Sequence, residues 1–148
     1  DSAGTAYATP FVDLKNALHA TFFYYMGVVT AASADQNIVV TMEVATTAAS
    51  GDEVQIPFKY RLSGATGANT LGAITSATAS GGASLDTTSS DGMFLLIDVD
   101  PAGLDSLLAG ARFARMVVGI NAGGTVTLNA AWAVLDPRYP QRTQKSAT

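Results

Sequence analysis

Residues 19–29 read HATFFYYMGVV, and this stretch has large apolar side chains at almost every position. Successive side chains of a β-strand point to opposite sides. One face of this strand therefore carries Phe22, Tyr24 and Met26, and the other carries Thr21, Phe23 and Tyr25. Apolar residues on both faces are typical of a strand inside a sheet or at a subunit contact. Four consecutive aromatic residues cannot all enter one core, so either two of them bury against a second layer or they contact another subunit. At such a contact we expect Phe23 and Tyr25.

The same alternation predicts five further strands, at residues 36–45 (QNIVVTMEVA), 54–62 (VQIPFKYRL), 93–100 (MFLLIDVD), 111–120 (ARFARMVVGI) and 125–135 (TVTLNAAWAVL). Pro57 has no amide donor, so we expect an edge strand or a bulge there. The turn sequence NAGG at 121–124 predicts that the last two strands form a hairpin.

The dipeptide Asp100–Pro101 predicts the start of a short helix, which we expect to continue through Ala109 and to end at Gly110. Short strands with turn signals between them and one short helix predict an all-β fold, an antiparallel β-sandwich or a jelly-roll-like barrel. We predict an extended N-terminal arm over residues 1–12, the β-sandwich domain over 13–136 and an extended basic C-terminal tail over 137–148. Residues 63–90 are rich in Gly, Ala, Ser and Thr, and we expect long loops there with one or two weak strands, such as a protruding hairpin.

Charge is sparse and unevenly distributed. Charged residues make up 14% of the chain and the net charge is −4. The tail contributes three cations and no acid, so residues 1–136 keep five of the eight cations against all twelve acids, a net charge of −7. A basic tail on an acidic body can bind an acidic neighbour, including a second copy. The alternative is a solubilising disordered end.

Two classes of partner are disfavoured by the sequence. The body is acidic, and three cations on a tail give only weak, salt-sensitive binding to phosphates, so we expect no nucleic-acid partner. No run of about 18 apolar residues occurs, so we also expect no membrane partner.

Residues that could carry chemistry are few. His19 is the one histidine, no nucleophile motif lies near it, and we expect it at a strand edge or interface. The chain has no cysteine, which disfavours a zinc site. Asp98, Asp100 and Asp105 are candidate calcium ligands, but their spacing matches no EF-hand loop. No carboxylate pair stands out for glycoside hydrolysis, and the glycine-rich stretches lack a phosphate-loop lysine. We therefore predict no enzymatic activity, no cofactor and no small-molecule substrate.

Three stretches together resemble head decoration (cement) proteins, small structural proteins of tailed bacteriophages that are encoded near the major capsid gene. They are residues 13–29 (DLKNALHATFFYYMGVV), 111–120 and 130–141 (AAWAVLDPRYPQ). The positions that carry the resemblance are Asp13, Leu14 and Lys15, then Phe113, Arg115, Met116 and Val117, then residues 132–139. Residues 63–90 have no counterpart in it.

The resemblance implies a non-enzymatic β-sandwich subunit, often a homotrimer, on the outer surface of the capsid in the virion. It also implies contact with the major capsid protein, which would staple neighbouring capsomers. Under this interpretation Pro137 ends the last strand, and the two arms extend across a neighbour. We expect the contact residues to be Pro10, Phe11, Phe23, Tyr25, Pro137, Arg138, Tyr139, Pro140 and Arg142.

Two other functions remain open at this stage. One is a β-sandwich binding module, a head fibre or tail-associated domain that recognises carbohydrate or a host surface. Exposed aromatic residues within 63–90 would favour it, and that segment has none. The other is a tail tube or tail-completion protein, which would form rings instead of trimers.

Overall fold

The computed structural model describes residues 6–27, 29–30, 37–49, 51–64, 70–86, 90, 92–120, 125–126 and 129–138. Three predicted contact residues, Tyr139, Pro140 and Arg142, lie outside this set, as do residues 1–5 of the predicted arm. The described residues confirm the all-β prediction and select the sandwich, because they form two antiparallel sheets, neither of which closes into a barrel.

In chain order the elements are β1 (Tyr7–Ala8), β2 (Val12–Asp13), β3 (Ala17–Met26), β4 (Val29–Thr30), β5 (Asn37–Ala45), β6 (Val54–Ile56), β7 (Phe58–Leu62), β8 (Thr75–Ala77), β9 (Ala83–Asp86), β10 (Met93–Val99), α1 (Pro101–Leu104), β11 (Phe113–Ile120), β12 (Thr125–Val126) and β13 (Asn129–Pro137). Sheet A has β11 and β5 at its centre, with β1 and β2 beside β11 and with β6 and β9 beside β5. Sheet B has the order β13-β3-β10-β7-β8. β4 and β12 pair with each other.

The core lies between the two sheets and consists of every second residue of the long strands. Its largest fully buried side chains are Phe22, Tyr24, Met26, Ile38, Val40, Met42, Val44, Leu85, Leu95, Ile97, Met116 and Val118. The predicted face of Phe22, Tyr24 and Met26 on β3 is therefore the inner one. Full burial of one such side chain contributes roughly 1.5–3 kcal/mol, so the register of these strands is strongly fixed.

Pro57 marks the point at which the chain passes from one sheet to the other. β6 pairs with β5 in sheet A, whereas β7 pairs with β10 in sheet B. The stretch 54–62 is therefore two strands and not one. Ile56 and Phe58 are both buried, so the alternation of the sequence continues through the corner. Proline suits this position because it cannot donate to a ladder.

The helix begins as predicted but is shorter. The Asp100 side chain accepts a hydrogen bond from the N–H of Ala102 at 2.9 Å, and Pro101 is the first helical residue. The prediction that the helix reaches Ala109 is wrong. Gly103 has a low helix propensity, and the hydroxyl of Ser106 and the carboxylate of Asp105 bond to nearby backbone groups instead. Such bonds compete with helical ones.

The predicted hairpin of the last two strands is also wrong. β11 belongs to sheet A, while β13 pairs with β3 in sheet B. β12 pairs with β4 in a register that continues the one between β13 and β3: Met26 opposes Asn129, and Val29 opposes Val126. A turn signal sets only a local change of direction, whereas the burial of both sheets decides which strands pair. Among the described residues, no helix is long and apolar enough to cross a bilayer.

Candidate interaction surface

The outer face of sheet B carries a cluster of side chains that we call the aromatic face: Phe23, Tyr25, Phe94, Leu96 and Trp132. The register brings them together, because Phe23 of β3 opposes Trp132 of β13 on one side and Leu96 of β10 on the other. One row along, Tyr25 opposes Phe94. The strands thus place four rings on a rigid sheet, with no loop involved.

The rings contact one another directly. The Phe23 and Trp132 rings are stacked with centroids 5.4 Å apart and planes 7° apart. The Tyr25 and Phe94 centroids are 4.9 Å apart, and Phe94 meets Trp132 edge-on at 6.0 Å. Such pairs contribute about 0.5–1.5 kcal/mol each beyond the area that they bury. The rings therefore hold each other in place before any partner arrives.

The cluster nevertheless remains open to solvent. Trp132 is 43% exposed and Phe94 is 37% exposed, and Phe23 and Tyr25 are half-buried. A depression of about 340 Å³ lies beside the rings, and Leu71 on its far wall is also exposed. Contiguous exposed apolar surface of this kind is typical of an interaction site.

Toward β8 the outer face of sheet B also carries charged side chains. A second depression of about 710 Å³ continues from the first past Leu96 and Leu71, and its lining includes Lys59, Arg61 and Asp98. The hydroxyl of Thr21 donates to the Asp98 carboxylate at 2.7 Å. The face therefore joins an aromatic half to a half that carries charge of both signs.

The outer face of sheet A has a different character, because ion pairs close it. The Arg115 guanidinium donates to Glu43 through Nε and to Glu53 through Nη2, each at 2.8 Å. Only 15–18% of each of these three side chains is exposed. The Phe11 ring lies over the guanidinium, 4.4 Å from Cζ to the ring centroid. Backbone N–H groups and Arg115 hold the pKa of Glu53 below its usual range.

The N-terminal segment is bound to its own sheet. β1 and β2 both pair with β11. Between them Thr9 exchanges two hydrogen bonds with Met116, through its N–H at 2.9 Å and its hydroxyl at 3.1 Å. Of the two contact residues predicted here, Pro10 is exposed, whereas Phe11 packs on Arg115 of its own chain.

At the other end of the chain, the ladder between β13 and β3 runs one residue beyond the predicted end of the domain at 136. Pro137 pairs with Ala17 across a register shift, and the N–H of Arg138 donates to the Asn16 carbonyl at 2.7 Å. Pro137 is the last residue of β13, in agreement with the prediction that it ends the strand. The side chains of Pro137 and Arg138 are exposed.

The predicted candidates for chemistry are dispersed. His19 is exposed and opposes Asp136 on β13. Asp98, Asp100 and Asp105 each accept a hydrogen bond from a different group, respectively the Thr21 hydroxyl, the Ala102 N–H and the Gly110 N–H. Among the described residues, no group of three or more metal-ligating side chains comes together.

Sequence reasoning placed Phe23 and Tyr25 correctly on the outward side of β3 but did not name Trp132 or Phe94 as contact residues. The alternation of residues 93–99 and 125–135 carried part of the signal, because it shows which side chains share a face. It does not show that both strands flank β3.

The chain matches no family model, no curated protein and no solved structure. Its function is therefore argued from the aromatic face and from the resemblance carried by its sequence.

Proposed function

We propose that this chain is a non-enzymatic virion structural protein that decorates and stabilises an icosahedral phage head. In this proposal it sits on the outer surface of the capsid and bridges subunits of the major capsid protein. The observation that carries the proposal is the exposed aromatic face. Covering it removes apolar surface from water, which is worth about 25 cal/mol per Å². Trp and Tyr are also the residues that most often dominate binding energy at interfaces.

The architecture suits a protein that must add stability to a shell without rearranging. The four rings stand on β3 and its two neighbours and already pack against each other, so little side-chain entropy is lost on docking. A decoration protein acts in many copies, and a modest contact per copy adds up when subunits are bridged. The resemblance implies a homotrimer, which would place three aromatic faces on one site. The two-fold contact inferred below is the competing assembly, and the mass of the free chain decides between them.

The C-terminal end of the chain supports the same proposal. Arg138 leaves sheet B beside Asn16 and begins the stretch of net charge +3, whereas the body has a net charge of −7. Cations on a terminal segment favour an acidic neighbour and speed its encounter. The capsid protein or a second decoration subunit would provide that neighbour.

The test is binding to phage heads that lack the chain. Phe94→Ala combined with Trp132→Ala should lower the affinity for heads at least about tenfold, because truncating central aromatic residues of an interface typically costs 1–2 kcal/mol or more. The matched control is Leu107→Ala, since Leu107 is 44% exposed but lies after α1, away from the aromatic face. Occupancy is measured by gel densitometry of purified heads, with circular dichroism to check the fold.

Two results would contradict the proposal: no binding of the wild-type chain to heads, or equal occupancy by the double variant and the control. Trp132 is the one tryptophan of the chain, so its fluorescence reports on this face alone. A blue shift on addition of heads is expected.

A second function, recognition of carbohydrate as a binding module, is favoured by one observation. The exposed Trp132 ring lines the smaller depression, which adjoins the larger one lined by Lys59, Arg61 and Asp98. Together they offer both stacking and hydrogen bonding to a sugar. Titration with oligosaccharides under Trp132 fluorescence separates the two functions. A saturable shift with sugar and no binding to heads would select the module.

A further inference from the structure

The outer edge of β13 is open. Among the described residues, this nine-residue strand pairs with β3 alone, so the N–H and C=O groups along its other edge meet no strand. Three of its large side chains are exposed: Trp132 at 43%, Val134 at 56% and Leu135 at 41%. Trp132 and Val134 lie on the outer face and Leu135 on the opposite one, so the strand is apolar on both sides.

The other described edges of the sandwich are protected. β8, at the far edge of sheet B, has three residues and includes Thr75 and Ser76. The β11 side of sheet A ends in β1 and β2, which have two residues each and have Pro10 between them. The β5 side of sheet A ends in β6 and β9, which have three and four residues. Short strands, prolines and charges are the usual means by which proteins prevent edge-to-edge pairing. β13 has such features only at its end, where Asp136 and Pro137 coincide with a register shift.

We propose that β13 pairs in antiparallel fashion with β13 of a second copy, about a two-fold axis at Trp132. The sequence selects this occupant and this register. Residues 129–135 (NAAWAVL) are uncharged, and Trp132 is their midpoint. A two-fold axis there pairs the uncharged run with itself, which is what a closed symmetric contact requires. A shift of the axis to Ala133 would set Asp136 against Ala130 of the second copy.

The side chains fit this register. Trp132 faces its own counterpart across the axis, and cross-strand aromatic pairs stabilise such ladders. Ala130 faces Val134 of the second copy, so a small side chain meets a larger one on the same face. The two copies of sheet B then form one continuous ten-stranded sheet. In that sheet the two aromatic faces lie on the same side.

The dimer is expected to be weak and sensitive to salt. A single strand edge buries an area at the low end of protein interfaces, which suggests a Kd on the order of micromolar. Each body carries a net charge of −7, so screening by salt should tighten the contact. The inference rests on the geometry of β13 and holds or fails independently of head binding.

Two double variants at the same positions test the register. In A130K/V134K, a lysine at position 130 of each copy opposes a lysine at position 134 of the other copy. The dimer then contains two contacts between like charges. In A130K/V134D the same two contacts become opposite charges. Both variants remove the same side chains from exposed positions of the outer face, so their hydrophobic losses are nearly matched. Sedimentation equilibrium should give a dimer for the wild type and for A130K/V134D, and a monomer for A130K/V134K.

Three results would overturn the inference: a wild-type monomer throughout the micromolar range, a trimer that both variants leave intact, or the same mass for both variants. A second measurement covers the case in which A130K/V134K does not fold. Dilution of the wild-type chain should shift the Trp132 emission to the red at the concentration at which the mass falls, and a constant emission would contradict a two-fold axis at this residue. Because no heads are present, a negative result leaves the proposed function untouched.

Discussion

The outer face of sheet A is closed by the chain itself, whereas the outer face of sheet B is left open. On sheet A, Arg115 satisfies two carboxylates and Phe11 covers the guanidinium. On sheet B, Trp132 and Phe94 stack with their neighbours but keep about two fifths of their surface in water. In the same sandwich, contacts within the chain cover the outer face of sheet A, whereas the outer face of sheet B stays available to a partner.

The difference shows why the two faces should respond differently to mutation. Polar groups that are buried and paired stabilise the fold, and they become costly when one partner is removed. Trp132 and Phe94 keep about two fifths of their surface for a partner, and their removal leaves no buried charge unpaired, so we expect it to lower association strongly and stability only moderately. Mutations that lower stability should therefore map to sheet A, and mutations that lower association should map to sheet B.

The largest effect on stability is expected for Arg115→Ala. It leaves Glu43 and Glu53 close together, half-buried and without their shared cation, and it removes the surface on which Phe11 packs. We expect the free energy of unfolding to fall by about 2–3 kcal/mol, below the 3–5 kcal/mol typical of fully buried pairs. Urea denaturation of the wild type and of Arg115→Ala measures this difference in the free energy of unfolding.

The matched control is Arg112→Ala, which breaks an ion pair that is exposed on both sides. The comparison between the faces fails if Arg115→Ala and Arg112→Ala are equally mild. It also fails if Arg115→Ala weakens head binding as strongly as loss of Trp132 and Phe94.

The sequence predicts those features of the fold that depend on neighbouring residues, and it does not predict those that depend on residues far apart in the chain. The two faces of β3 follow from the alternation of residues 20–26, because a period of two is a local property. The passage between sheets at Pro57 could not be predicted, since the alternation continues from Ile56 to Phe58 while the pairing partner changes.

The two candidate surfaces also depend on contacts that no local pattern encodes. Phe11 and Arg115 are far apart in the chain, and so are Phe23 and Trp132. In each case the sequence shows only that the side chain points away from the core. The strand order then decides whether the chain itself covers it, and that order follows from the packing of the whole core.

An intermediate effect is expected on the inner side of β3, at Tyr24. Its hydroxyl is buried and has no hydrogen-bond partner among the described residues, because the neighbouring Tyr7 hydroxyl donates to Asn129 instead. Burial, and to a lesser degree Tyr7, raise the pKa of Tyr24 well above 10.0. The unfolded chain therefore loses this proton first, and the stability contribution present below pH 10 declines as pH rises above it.

Tyr24→Phe should flatten that alkaline decline and raise the free energy of unfolding at neutral pH by up to about 1 kcal/mol, because an unpaired buried hydroxyl is costly. Urea denaturation between pH 7 and 11 measures both effects. An unchanged alkaline decline would show that Tyr24 does not cause it, and a loss of stability at neutral pH would show that the hydroxyl is hydrogen-bonded in solution.

The smallest effect concerns the ion pair between Asp13 and Arg112, which joins β2 to the residue before β11. Arg112 and the Lys15 N–H lower the pKa of Asp13 from 3.8 to about 2. Since the folded-state pKa is depressed, the contribution is present above pH 4 and is lost as pH falls through about 2. Both side chains are more than two fifths exposed, so solvent screening limits it to a few tenths of a kcal/mol.

Asp13→Asn is the sharpest probe of this pair, because an amide oxygen can still accept from the Lys15 N–H while the charge is removed. The difference in unfolding free energy from wild type should vanish near pH 2 and shrink in 1 M salt. A difference that persists under both conditions would mean that Asp13 acts through the geometry of its hydrogen bonds to Lys15 and Arg112. In that case hydrogen-bond geometry and not charge would hold β2 beside β11 on sheet A.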